Sequence, residues 1–382
     1  MHVYFEQGLY RPPSEAASLL LRFTRNCPWN KCTFCPLYKG RLFSRRSLKE
    51  IKADIDAVRS VIDDVERLRA SIKGSSQELE RKIISRIFTD PGYNHGYRHV
   101  ARWYLSNSGT VFLQDANNLI MSTSELVEAL RYLKENIPCI RRITSYGRSS
   151  TIARKSLEEL KEIHDAGLDR IHIGLESGSD NVLRFVKKGA TAAQHIKAGR
   201  KVVEAGITLS EYIMPGLGGR TWSREHALET AKVLNEIDPH FIRIRSLRIP
   251  KRTPLYEDMV SGRFHPLTDD EVVKELRLLI ESLDNIHSVV TSDHIMNLLE
   301  EVAGQLPEDK ERMLQVIDEY LALSDRDRLL FRLGRRGGAL RSTRELNNPR
   351  VRERLEEARK DLESRLGKDI EVIIKELADQ YI

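Results

Sequence analysis

The sequence predicts an α/β protein, a partial, TIM-like (β/α)6 barrel of parallel strands with a helical insertion and a helical C-terminal extension. Two observations support this prediction. Short apolar segments alternate with longer amphipathic ones over about the first 255 residues, a pattern typical of parallel strands joined by helical crossovers. Six such units in one run suit a barrel better than an open sheet. In a barrel, functional residues follow the carboxyl ends of the strands.

The predicted strands are short runs rich in apolar and β-branched residues. They are Leu19–Thr24, Thr110–Gln114, Ile140–Tyr146, Arg170–Glu176, Ile207–Tyr212 and Phe241–Leu247, with His287–Ser292 as a seventh candidate. The segments between them repeat apolar residues at helical spacing. These predicted helices are Ser122–Asn136, Ser156–Ala166, Ala192–Ala205 and Ser223–Ile237.

Two segments depart from this alternation. Residues 47–107 are too long for one crossover, which predicts a helical insertion at about residues 60–108. After about residue 255 the strand pattern fades and helices are predicted, among them Pro266–Asp284, Ile295–Ala303 and Pro307–Ala322, and again from Pro349 onwards. The sequence thus divides into a barrel, residues 1–255, and a mainly helical extension, residues 256–382.

The composition is that of a globular protein. The chain has 382 residues, of which 40% are hydrophobic and 31% charged, and no apolar run is long enough to predict a membrane span. The N-terminus lacks the basic and apolar regions of a secretory signal, so a cytoplasmic location is expected. The net charge of +6 favours anionic partners, but charges of both signs are interspersed, so nucleic-acid binding is an option that is not favoured.

Three of the four cysteines lie within nine residues, directly after the first predicted strand. Cys27, Cys32 and Cys35 form a C-x4-C-x2-C motif. Three thiolates on a short loop can bind three irons of a [4Fe–4S] cluster and leave the fourth iron open to a substrate or cofactor. A zinc site is the main alternative, although no histidine lies in this loop, and chance clustering is the third. The fourth cysteine, Cys139, is expected to be a buried structural thiol.

The segment FTRNCPWNKCTFCPLYKG resembles the cluster-binding loop of the radical S-adenosylmethionine (radical SAM) superfamily. In those enzymes three cysteines hold a [4Fe–4S] cluster at the end of the first barrel strand, and an aromatic residue, here Phe34, commonly precedes the third cysteine. The methionyl amine and carboxylate of S-adenosylmethionine bind the fourth iron, and reductive cleavage yields a 5′-deoxyadenosyl radical. The family's usual spacing is C-x3-C-x2-C, so the extra residue here indicates an atypical branch.

A second segment, IHIGLESGSDNVLRFVKKG, resembles the fourth-strand region of oxygen-independent coproporphyrinogen oxidases and tRNA methylthiotransferases. The resemblance implies that Glu176 binds the cofactor, accepting from ribose hydroxyls or an amine; a charge at a helix N-terminus is the alternative. The family's Gly-Gly-Glu-like segment, which receives the methionine amine, is replaced here by LQDANNL. Either Gln114 or Asp115 accepts from that amine, or the segment is a turn with an Asx cap.

The remaining cofactor candidates follow the later strands. Ser145 would face the cofactor from the third strand, and Glu211 would lie near the barrel mouth from the fifth. Arg243 and Arg245 share one face of the sixth strand by alternation. There they would bind the methionine carboxylate or an anionic substrate, or pair with neighbouring carboxylates.

The catalytic residues are not fixed by the sequence, which offers Tyr212, Asp293 and His294 as candidates. Asp293 and His294 follow the seventh candidate strand and would relay a proton or donate to the substrate. The structural alternative makes Asp293 the N-cap of a helix that begins at Ile295.

The sequence therefore predicts a radical SAM enzyme of unidentified substrate, in which the 5′-deoxyadenosyl radical abstracts hydrogen. The resemblance implies a [4Fe–4S] cluster and S-adenosylmethionine as cofactors, and an external electron donor of the flavodoxin or ferredoxin type. No second cysteine cluster is present, which argues against methylthiotransferase chemistry. The alternatives are an enzyme that modifies tRNA or rRNA, and a non-catalytic carrier of haem or another cofactor on the same fold.

Overall fold

The computed structural model describes residues 2–71 and 76–379. Within these residues eight strands form one sheet in the order β1-β4-β5-β6-β7-β8-β9-β10, and β2 pairs with β3 in a small second sheet. The strands are β1 Leu19–Arg22, β2 Thr24–Arg25, β3 Ser44–Arg45, β4 Thr110–Gln114, β5 Arg142–Gly147, β6 Arg170–Glu176, β7 Thr208–Ile213, β8 Phe241–Ile244, β9 Val289–Thr291 and β10 Gly304–Gln305.

Helices separate most of these strands. They are α1 Leu48–Ser71, α2 Ser76–Thr89, α3 His95–Leu105, α4 Thr123–Asn136, α5 Ser149–Ile152, α6 Leu157–Asp165, α7 Asp180–Phe185, α8 Ala192–Glu204, α9 Gly219–Ile237, α10 Pro254–Val260, α11 Asp269–Glu281, α12 Lys310–Leu321, α13 Asp325–Arg336, α14 Pro349–Leu366 and α15 Ile370–Asp379. None of them combines the length and apolar composition needed to cross a membrane.

The chain forms two compact units. The first contains the residues up to Asn30, Leu37–Ile173 and Lys201–Thr208; the second contains Lys31–Pro36, Gly174–Arg200 and the residues from Leu209 onwards. The chain passes from one unit to the other within β6. The division of the sequence at residue 255 into barrel and extension stays a prediction.

In the first unit, β1, β4, β5 and the start of β6 pair in parallel, with Leu21 opposite Leu113 and Leu113 opposite Ser145. Apolar side chains of α1 are buried at the spacing of one helix face, and α1 packs against α3 and α4. Ser122 caps α4, and Ser156 opens α6 with a capping box to Glu159, because a side-chain oxygen satisfies an amide that the first helical turn leaves without a partner.

In the second unit, β7, β8 and β9 pair in parallel and β10 is antiparallel to β9. Helix α11 packs against α9 and α12. Near the C-terminus, α13 and α15 bury a small apolar cluster that includes Leu333, Ile370 and Ile374. This packing explains why the helices after residue 255 are amphipathic.

Most predicted elements are confirmed. Strands β4 and β6 have the predicted bounds, and β9 confirms the seventh candidate strand. Residues 48–71, 76–89 and 95–105 are helical, in agreement with the predicted helical insertion. The helix predicted from Pro349 is two helices, because Gly367 ends α14 in a left-handed conformation with φ 59°.

The helix predicted over Ile295–Ala303 is wrong, since the structure has turns and irregular backbone there. Two arginines of α13 occupy carbonyls that a helix would use internally: Arg336 Nη1 donates to Met296 O at 2.8 Å, and Arg335 Nε to Leu298 O at 3.2 Å. Both arginines are buried. They belong to the last turn of α13, which extends to Arg336.

Candidate active site

The loop after β1 and β2 contains the three clustered cysteines, each of which is a thiol and not part of a disulfide. Asn26 and Asn30 take left-handed conformations, with φ 66° and 48°, which asparagine tolerates better than most residues. The Asn30 amide lies 3.4 Å from Cys27 Sγ. Cys32 Sγ lies 4.0 Å from the Lys188 carbonyl oxygen, and Phe34 is buried.

The donor set of this loop fits an iron–sulfur cluster. Three soft thiolates closely spaced in sequence are the ligands that such clusters take. Among the described residues no group of three or more His, Cys, Asp or Glu side chains is gathered in metal-binding geometry. The fit therefore rests on the chemistry of the three thiols and on their place after the first strand.

Asp115, immediately after β4, lies beside this loop in the first unit. Its carboxylate accepts from Arg22 at 2.5 and 2.8 Å, from the Asn26 amide at 2.8 Å and from the Tyr38 hydroxyl at 3.2 Å. Burial, followed by the charge of Asp115, raises the pKa of Tyr38, so the hydroxyl stays protonated and donates. The carboxylate predicted to bind the cofactor is thus occupied by protein donors.

The extended segment of residues 3–10, called here the N-terminal segment, covers the end of β4. Gln114 Oε1 accepts from the Gly8 amide at 2.8 Å, and Gln114 Nε2 donates to the Tyr10 carbonyl at 2.8 Å. Farther along the segment, Glu6 pairs with Arg22 at 3.0 Å and with Arg25 at 2.6 Å. The Gln114 side chain was also predicted to face the cofactor. Instead, both ends of its amide group bind the backbone of the N-terminal segment.

Ser145, on β5, is fully buried. Its hydroxyl donates to the Tyr146 carbonyl at 2.9 Å and accepts from Asn118 Nδ2 at 3.0 Å. Tyr146 packs edge-on against Phe112, with ring centroids 5.0 Å apart. Ser145 thus joins the end of β5 to the turn after β4.

In the second unit, Glu176 ends β6 with φ 63° and receives Lys188 Nζ at 2.9 Å on Oε1. Gly174 makes room for this pair, because a Cβ there would lie 2.1 Å from Glu176 Oε1 and 2.9 Å from Lys188 Nζ. The Glu176 carbonyl accepts from the Met214 amide at 3.0 Å. The carboxylate is thereby oriented from two sides.

Glu211, on β7, is fully buried. Burial raises the pKa of Glu211 well above its ordinary value, and the charge of Glu176 adds to this rise, whereas the charge of Lys188 and a backbone hydrogen bond from Leu175 oppose it. Burial thus favours the protonated form of this carboxyl group, next to the Glu176–Lys188 pair.

The two arginines of the sixth predicted strand stay close to β7. Arg243 Nε donates to Ser210 Oγ at 2.9 Å, and Arg243 Nη1 lies 3.9 Å from Asp293 Oδ2. The Arg245 guanidinium lies over the Tyr212 ring, 5.4 Å from its centroid. By strand alternation Tyr212 and Ser210 share one face of β7, and Glu211 lies on the other.

His294 is partly buried beside Arg245. Burial, then the positive charge of Arg245, lowers the pKa of His294 to about 4, with Asp293 acting in the opposite direction. His294 Nδ1 accepts from the Met296 amide at 3.3 Å. Asp293 does not cap a helix, because no helix forms at residues 295–303.

Comparison with known protein families finds a match for part of the chain. Residues 124–231, from α4 into α9, match the model of the Radical SAM superfamily. The cysteine loop lies before this stretch in the sequence.

Similar proteins share modest identity with this chain. A tRNA uridine(34) acetyltransferase of Methanocaldococcus jannaschii is 20% identical over 259 residues, which cover 65% of this chain and 45% of that protein. A 4′-phospho-dehydrooxetanocin synthase of Priestia megaterium is 26% identical over 234 residues, which cover 58% of this chain and 27% of that protein. The chain spans less than half the length of these curated relatives.

Two solved structures are similar to the chain. The Elp3 protein of Methanocaldococcus infernus gives a TM-score of 0.41 at 15% identity, over 63% of this chain and 58% of that one. The cobalamin-dependent S-adenosylmethionine radical enzyme OxsB gives 0.45 at 15% identity, over 96% of this chain and 59% of that one.

The structure brings the predicted site residues together in small groups. Asp115 lies beside the residue that precedes Cys27; Glu176 lies with Glu211; Tyr212, Arg245 and His294 form another group. Sequence reasoning missed the N-terminal segment, Tyr38 and Lys188, although Tyr38 and Lys188 lie within the two motifs quoted above. Cys139 is exposed, so its expected burial is wrong; it lies in the turn between α4 and β5.

The lowered pKa of His294 predicts acid sensitivity. Between about pH 4 and pH 6.5 the unfolded chain binds more protons at this residue than the folded protein, so stability falls as the pH falls through this window. His294→Gln removes that part of the dependence, on the order of 2 kcal/mol after allowance for partial exposure. Denaturant unfolding at several pH values measures it.

His287→Gln is the control for the direction in which stability changes with pH. A hydrogen bond from His287 to Asp238 raises the pKa of this exposed histidine, so its contribution is present at low pH and lost as the pH rises. Identical pH profiles for wild-type protein and His294→Gln would contradict the assignment of a neutral His294.

Proposed function

We propose that Cys27, Cys32 and Cys35 bind three irons of the [4Fe–4S] cluster and leave the fourth iron for S-adenosylmethionine. When bound, the reduced cluster supplies the electron that cleaves S-adenosylmethionine to methionine and a 5′-deoxyadenosyl radical, which abstracts a hydrogen atom from the substrate. The observation that supports this assignment is the clustering of three thiols within nine residues of a chain whose residues 124–231 match the Radical SAM superfamily model.

Glu176 is the carboxylate best suited to contact the cofactor. Lys188 donates to Oε1 at 2.9 Å, and the absence of a side chain at Gly174 leaves the room that this pair occupies. A carboxylate held in this way can accept from ribose hydroxyls or from an amine. Glu211 beside it, whose pKa is raised by burial, adds a carboxyl group that can donate when protonated as well as accept.

Arg243 and Arg245 remain candidates for an anionic group, the methionine carboxylate or part of the substrate. Arg245 is held over the Tyr212 ring, which orients its guanidinium without consuming its donors. The neutral His294 can accept a proton at neutral pH, and Tyr212 can donate one. Tyr212, Arg245 and His294 form the proposed substrate-handling group, together with Arg243 and its neighbour Asp293.

The proposed reaction needs one electron from outside the chain. A reduced flavodoxin or ferredoxin is the proposed donor, since the chain has only one cluster of cysteines. The substrate itself is left open by the residues described.

Cluster loading and cofactor cleavage test this proposal together. Protein reconstituted anaerobically with iron and sulfide, then reduced with dithionite in the presence of S-adenosylmethionine, is expected to be brown and to release 5′-deoxyadenosine. Cys32→Ala removes one of three ligands and is expected to lower product by at least about tenfold, since ligand loss costs that much in comparable metal sites.

Cys139→Ala is the matched control, because Cys139 is exposed and lies outside the loop. It is expected to retain wild-type iron content and product. A colourless protein that holds one zinc ion would contradict the cluster assignment. A brown protein that makes no 5′-deoxyadenosine even with candidate substrates present would favour the carrier alternative.

We infer a second candidate, in which the substrate is a nucleic acid. Two curated relatives are tRNA uridine(34) acetyltransferases, and the chain has a net charge of +6. A protein that binds a polyanion displaces counterions, so its affinity falls with salt by a slope of about 0.7–0.9 per phosphate contacted.

Fluorescence titration of a bulk tRNA probe at several salt concentrations tests this candidate. The logarithm of the binding constant is expected to fall linearly with the logarithm of the salt concentration. A DNA duplex with an equal number of phosphates is the control. The absence of tRNA binding at low salt would contradict it.

A further inference from the structure

The Asp115 carboxylate is the most heavily coordinated acid beside the cysteine loop. Its side chain is fully buried and receives four hydrogen bonds. Arg22 supplies two of these, at 2.5 and 2.8 Å, the Asn26 amide one at 2.8 Å, and the Tyr38 hydroxyl one at 3.2 Å. Three of these bonds fall on Oδ2 and the fourth, from Tyr38, on Oδ1, so both oxygens accept from the protein's own donors.

The donors to Asp115 flank the cysteine loop on both sides. Asn26 directly precedes Cys27, and Tyr38 comes three residues after Cys35. Arg22 ends β1, the strand that leads into the loop. Asp115 therefore fixes the entry and the exit of the loop to the end of β4.

The N-terminal segment closes the remaining side of Asp115. A Cβ at Gly8 would lie 2.4 Å from Asp115 Oδ1 and 3.3 Å from the Gln114 side chain. Only glycine permits the segment to approach the carboxylate this closely. A ligand approaching Oδ1 from this side would have to displace the segment, while Oδ2 already accepts three hydrogen bonds.

We propose that Asp115 is a positioning residue, which holds the two ends of the cysteine loop in place for cluster assembly and does not itself bind the cofactor's amine. The inference rests on the proposed function only in assigning a cluster to the loop. Without Asp115, the two ends of the cysteine loop would move independently. Cluster assembly would then have to order these ends, which Asp115 already fixes in the native protein.

The test uses metal-free protein and measures the thiols directly. In a Cys139→Ser background only the three loop cysteines remain, and their alkylation rate reports how often the loop opens. Asp115→Asn keeps the side-chain shape but removes its charge and one acceptor oxygen. It is expected to raise the alkylation rate roughly tenfold, because loss of one hydrogen bond to a charged group shifts the equilibrium for opening of the loop by about that factor.

Glu15→Gln is the matched control. Glu15 is also a fully buried carboxylate paired with an arginine, with Arg142 Nη2 at 2.9 Å, but its partners Ser18, Arg142 and His172 all lie outside the cysteine loop. It is expected to leave the alkylation rate within about twofold of wild type, because a substitution that shares no partner with the loop is not coupled to its opening. Equal acceleration by Glu15→Gln and Asp115→Asn would show general destabilisation and overturn the proposal.

Tyr38→Phe keeps the proposal testable if Asp115→Asn does not fold. This variant removes one hydroxyl and leaves the Arg22–Asp115 pair intact. It is expected to raise the alkylation rate severalfold and to slow incorporation of iron during reconstitution, with the final spectrum of the cluster unchanged. A wild-type rate in Tyr38→Phe would overturn the proposal, whereas failure of the cluster assignment would appear separately, as absence of iron in the wild-type protein.

Discussion

The buried ion pair between Arg22 and Asp115 is the constraint on which the arrangement of the first unit depends. Two charges removed from water are stable only if their remaining hydrogen-bonding capacity is satisfied, and loss of one partner leaves a buried charge. Here that capacity is taken up by the Asn26 amide and the Tyr38 hydroxyl on Asp115 and by Glu6 on Arg22. The pair therefore links two neighbouring strand ends, the cysteine loop and the N-terminal segment.

The second unit places two acids close together in different environments. Glu176 is paired with Lys188 at 2.9 Å, whereas burial raises the pKa of Glu211 well above its ordinary value. The charge of Lys188 acts against this rise and the charge of Glu176 adds to it. The Glu176–Lys188 pair and the buried Glu211 therefore influence each other electrostatically.

The repeating part of the fold could be predicted from the sequence, and the irregular part could not. Strands β4 and β6 were predicted with their observed bounds, because each is a buried apolar run between turn residues. Residues 295–303 have apolar side chains at helical spacing, yet Arg335 and Arg336 bind their carbonyls and the Asn297 side chain donates to Ile244 O at 2.8 Å. Such long-range hydrogen bonds leave no periodic signal.

The same distinction holds for the candidate site. The cysteine spacing and Glu176 were recognisable because local motifs specify them. The partners of Asp115 come from residues 22, 26 and 38, and those of Gln114 from residues 8 and 10. Sequence reasoning could name both side chains, but it could not know that protein groups already occupied them.

The central claim is that three cysteines hold a cluster whose fourth iron is open to S-adenosylmethionine. Electron paramagnetic resonance of the reduced, reconstituted protein tests it most directly, because the spectrum of the cluster responds to a new ligand on iron. The account predicts that addition of S-adenosylmethionine changes the spectrum of the wild-type protein and of Cys139→Ala alike. A cluster spectrum that S-adenosylmethionine leaves unchanged would contradict it.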